Sequence, residues 1–113
     1  MEENILVTIK KLLGLNLDYS VFDLDILINI NSAFSVLAQL GVNNSDEFVV
    51  DAESNWSDYL SEGKNLEMIK TYVYLKVKSI FDPPQSSFVL DAINKQLAEY
   101  EWRINVAVET NCI

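Results

Sequence analysis

The chain has 113 residues, half of them hydrophobic, with three glycines, two prolines and one cysteine; this suits one modest core built from long regular elements and excludes extensive disorder. The formal net charge is −9, and the whole excess lies in residues 14–63, which hold nine acids (Asp18, Asp23, Asp25, Asp46, Glu47, Asp51, Glu53, Asp58 and Glu62) and no Lys or Arg. Such a surface repels phosphate, so sequence-specific or tight nucleic-acid binding is excluded as a leading function, and a solvated acidic face is its simplest use.

A first helix is expected from Glu2 to about Leu13, where Ile5, Ile9, Leu12 and Leu13 form one apolar stripe. Glu2 and Glu3 fall in its first turn and Lys10 and Lys11 in its last, signs that suit the helix dipole, and Gly14 is a natural stop. A connector with Asp18 or Ser20 as N-cap leads to a second helix over about Val21–Leu40, ending at Gly41. Its polar stripe (Asp25, Asn29, Ser32, Gln39) is narrow and most of its circumference is apolar, which predicts burial among other helices or against another subunit.

Residues 42–63 read as a long acidic irregular loop, with a short extended piece at Phe48–Val50 and one helical turn in WSDYL opened by Asn55 or Ser57. A third helix is expected over about Leu66–Phe81, with Leu66, Ile69, Val73, Val77 and Ile80 buried and Tyr72 and Tyr74 flanking. Pro83 and Pro84 force a stop at or before Asp82. Ser86 or Ser87 then caps a fourth helix to about Val108, with a heptad-like seam (Leu90, Ile93, Leu97, Tyr100, Ile104, Ala107) and an i, i+4 charge ladder (Asp91, Lys95, Glu99, Arg103). At 1.5 Å per residue it is on the order of 30 Å long. The reading is an all-α domain over 1–113: a small bundle of four main helices, a long irregular loop between the second and third, and a frayed tail at 109–113.

Chemistry is sparse. Without histidine the commonest general base and metal ligand are missing, and Cys112, one residue from the end, has neither a disulfide partner nor an activating imidazole. No phosphate-binding, dinucleotide-binding or nucleophile-elbow motif occurs. Asp46, Glu47, Asp51 and Glu53 lack the order and the central glycine of a calcium loop. No catalytic residue, metal site or cofactor is expected. The absence of a secretory signal, of an 18-residue apolar run and of paired cysteines predicts a soluble protein of a reducing compartment. Trp56, Tyr72, Tyr74, Trp102 and Arg103 are the candidates for an assembly interface. A small acidic regulator or inhibitor of a basic protein surface is the alternative reading of the same charge pattern.

One long run is more specific. EMIKTYVYLKVKSIFDPPQSSFVLDAINKQLAEYEWRIN resembles the small head–tail connector proteins of tailed bacteriophages and prophages, in the combination Phe81-Asp82-Pro83-Pro84, Ser86-Ser87-Phe88 and the EWR-bearing stretch Glu99–Asn105. NILVTIKKLLGL, the run Asn31–Val42 and WSDYL at 56–60 extend the likeness over roughly Asn4–Ala107. The resemblance implies a helical structural protein that is monomeric when free and assembles as a ring beneath the portal. There it would extend the DNA channel, help complete packaging and dock further connector or tail proteins, at the head–tail junction of the virion after passing through the host cytoplasm. Asp46, Glu47, Asp51 and Glu53 are then candidates for a channel-facing acidic loop past which DNA slides.

Overall fold

The computed structural model describes residues 4–42, 49–59 and 64–110. Among them are four α-helices, α1 (Ile5–Leu13), α2 (Asp23–Gln39), α3 (Lys64–Phe81) and α4 (Ser87–Glu109), one 3-10 turn at Trp56–Asp58, and no strand. The all-α expectation therefore holds, with each helix within a few residues of its expected bounds.

The first helix starts later than its acids suggested. Asn4, extended at φ −76° and ψ 135°, accepts a hydrogen bond on Oδ1 from the Val7 amide at 2.9 Å and so acts as the N-cap. Glu2 and Glu3 lie outside the described residues. Gly14 closes the helix at φ +80°, a conformation that costs a residue with a Cβ. Ile5, Leu6 and Ile9 enter the core, and Lys10 goes in with them.

Lys10 explains the path of the connector. Its ammonium, 3% exposed, donates to the carbonyls of Tyr19 at 2.8 Å and Leu17 at 3.3 Å and lies 2.8 Å from Asp23 Oδ1. That carboxylate oxygen makes no directional hydrogen bond, so the contact is charge against charge. The expected caps, Asp18 and Ser20, are not used: α2 has Phe22 at its N-cap position without a side-chain cap bond. The buried cation fixes the helix start through tertiary contact instead.

α3 is the central helix, packed against α2, α4 and α1. Its core face includes Leu66, Ile69, Val73 and Val77 as expected, but also Tyr72, which is fully buried, while Ile80 is 53% exposed at the helix end. Phe81 meets Phe22 edge to face at 5.4 Å, and Phe22 meets Tyr19 at 5.8 Å, which brings the start of α2 to the end of α3. The helices therefore run antiparallel.

After Phe81 the Asp82 amide still donates to Lys78 O at 3.1 Å, and Pro83 and Pro84 end the ladder. Ser86, extended, accepts from the Val89 amide through Oγ at 3.4 Å and opens α4. Ile93, Leu97 and Ile104 are buried and Leu90, Tyr100 and Ala107 half-buried, so the expected seam is the packed one. α4 runs to Glu109, and Thr110 donates its amide to Val106 O at 3.0 Å; residues 111–113 of the expected frayed tail lie outside the described residues.

Candidate functional site

Half of the long inter-helix connection is a strap tied down at both sides. Asn31 of α2 holds Val50 as a strand would, accepting from its amide at 2.7 Å and donating to its carbonyl at 3.0 Å. From α1, Asn4 Nδ2 donates to Ala52 O at 2.8 Å and the Ile5 amide to Ser54 O at 3.0 Å, with an isolated bridge between Asn4 and Asn55. Trp56 then plunges inward. Its indole N–H donates to Thr8 Oγ1 at 3.1 Å, its ring lies edge to face with Phe34 at 6.1 Å, and Lys70 sits 5.8 Å above it. Tyr59 stacks on the same Phe34 ring, with centroids 4.7 Å apart.

The acids of the strap are partly committed to its own turns. Asp51 Oδ1 accepts from the Glu53 amide at 2.8 Å and the Ser54 hydroxyl at 3.1 Å, which together hold its carboxyl below the usual carboxylate range. Asp58 Oδ2 accepts from the Asn55 amide at 2.9 Å. Glu53 is exposed. Asp46 and Glu47 lie outside the described residues.

The interface candidates separate sharply. Trp56 is 1% exposed and Tyr72 fully buried, so the folded chain presents neither ring to a partner; each is a core anchor. Tyr74 is half-buried. Trp102 is 67% exposed and Arg103 is exposed beside it, paired with Glu99 at 2.8 Å. The EWR run thus points two ways. Glu101 turns inward and accepts the Tyr72 hydroxyl at 2.8 Å, joining α3 to α4, while Trp102 and Arg103 face out. Burial, then the hydrogen bond to Glu101 and its negative charge, push the Tyr72 phenol well above its ordinary value.

Sequence reasoning did not single out as exposed the apolar residues Val21, just before α2, Leu24 and Ile28 on α2, or Phe88 on α4, 83% exposed. The apolar excess around α2 was the available signal. Among the described residues no group of three or more His, Cys, Asp or Glu is placed to hold a metal ion, and no helix is long and apolar enough to cross a membrane.

The described residues form a packed helical body with several apolar and aromatic side chains on its surface. The family model for phage connector proteins matches residues 5–111, and the chain belongs to that family. Comparisons with curated proteins and with solved structures give no match.

Proposed function

We propose that this chain is a structural subunit of a phage head–tail junction, assembling as a ring beneath the portal, extending the DNA channel and offering a docking face to later connector or tail proteins. The observation that carries the reading is the family match along almost the whole chain. Exposed Leu24, Ile28, Phe88 and Trp102 support it, since a ring subunit needs two lateral surfaces besides its own core. Copies lost from the assembly would be monomeric, each with its core complete.

The acidic stretch has a part in this reading. Carboxylates facing the lumen would bind passing DNA weakly and leave it free to slide. Asp46, Glu47, Asp51 and Glu53 are the candidate lumen residues, and Trp102 with Arg103 and Tyr74 the candidate contacts to neighbouring proteins.

Negative-stain imaging of portal-bearing heads incubated with the purified chain tests the assembly: a ring at the portal vertex is expected. A chain that stays monomeric on such heads and is absent from purified virions overturns the reading. Lysine at positions 46, 47, 51 and 53 should slow genome ejection if those residues face the lumen; unchanged packaging and ejection would move the acids to the outer rim.

A further inference from the structure

We infer that α2 has two competing starts: the one seen, at Asp23 and pinned by Lys10, and a second that begins at Val21 and is capped by Ser20. The inference concerns the fold of one chain and stands apart from the ring reading.

The longer start is complete in the local sequence. With Ser20 as N-cap, Asp23 falls at the third helical position, the spacing of a capping box. There the serine hydroxyl accepts from the Asp23 amide, and the Asp23 carboxylate accepts from the Ser20 amide. The chain uses the carboxylate half of that arrangement elsewhere, where the Asn55 amide donates to Asp58 Oδ2 at 2.9 Å. Tyr19 and Leu24 would take the two positions that flank a box and pack together as a hydrophobic staple. In the pinned start they are 48% and 70% exposed.

The pinned start gives up these local bonds for one tertiary contact. Asp23 lies 2.8 Å from the buried Lys10 ammonium, and Phe22 takes the N-cap position with no side-chain cap bond. The contact is geometrically imperfect, since the buried Asp23 Oδ1 makes no directional hydrogen bond. The backbone is already close to the alternative. Phe22, at φ −100° and ψ 6°, is within about 50° of helical values in each angle, and the Asp23 amide closes a turn onto Ser20 O at 3.2 Å. One carboxylate cannot serve both starts: the box needs residues 21 and 22 helical, whereas the pin leaves them in a turn. The side chains that change place, Tyr19, Val21, Phe22 and Leu24, are exposed and apolar, so a partner that fits them in one arrangement selects that start.

Lys10→Met, which keeps an apolar stem and removes the ammonium, tests the competition by nuclear magnetic resonance. Val21 and Phe22 should move to helical Cα shifts. Ser20→Ala alone should leave the urea midpoint unchanged, because the hydroxyl caps nothing in the pinned start. In the Lys10→Met background the same change should lower the folding equilibrium about fivefold and abolish the helical shifts at 21 and 22. Equal effects of Ser20→Ala in both backgrounds overturn the inference, as do coil shifts at 21 and 22 in Lys10→Met. Should Lys10→Met not fold, relaxation dispersion on the unmodified chain decides: a minor state with helical shifts at 21 and 22 is expected, and flat profiles across residues 20–24 overturn it.

Discussion

Tyr72 and Glu101 show how much one side-chain pair settles at the scale of residues. The phenol crosses from α3 to α4, and its hydrogen bond to the carboxylate, 2.8 Å long, sits at the edge of the core. Tyr72→Phe keeps the ring's packing and removes the hydroxyl, so the expected loss is about 1–2 kcal/mol, measured by urea denaturation. The pH dependence has a definite sign. The folded phenol is raised above its ordinary value, so its contribution is whole below the unfolded pKa of about 10 and falls as pH rises through the folded value. Ultraviolet titration of tyrosinate should show a late-ionising phase, and Tyr72→Phe should diminish it.

Elements were more legible than the roles of individual side chains. The prolines at 83 and 84, glycines at 14 and 41 and the apolar stripes marked where helices stop and which faces pack, because these signals are local. The start of α2 was not legible: its fixing contact is Lys10, thirteen positions before Asp23, and a buried lysine reads from sequence as a solvated one. Tyr72 was misplaced for a related reason. A helical wheel puts it at the margin of the α3 stripe, and only the presence of α4 widens the buried arc to include it. The same limit applies to Trp56, whose place in the core depends on the strap being tied to α1 and α2. Of the interface candidates, Trp102 and Arg103 remain on the surface, and the α2 stripe needed the structure to tell buried from exposed apolar positions. The proline joint itself should be stiff. Replacing Pro83 and Pro84 by alanine frees the unfolded chain and weakens the stop between α3 and α4, with an expected loss of about 1 kcal/mol seen as a lower urea midpoint. An unchanged midpoint and an unchanged angle between the helices would remove the prolines from that role.

For the molecule as a whole, a net charge of −9 on 113 residues sets copies against each other before any specific contact forms. Self-association of the free chain should therefore strengthen as salt rises toward physiological ionic strength, where the Debye length is about 8 Å. Sedimentation at graded salt checks this, and association that weakens with salt would mean attractive ion pairs dominate. The strap has a consequence for how the fold is reached. Its ties to α1 join residues 48 positions apart, as in Asn4 to Ala52 and Thr8 to Trp56, whereas α3 and α4 are neighbours along the chain. Closing so wide a loop carries an entropic cost that adjacent helices avoid. The helical hairpin can assemble early, while the strap waits for α1 and α2 to be in place, since both supply its anchors. Trp56, which the strap carries into the core, is thus an indole whose seat needs both anchoring helices at once.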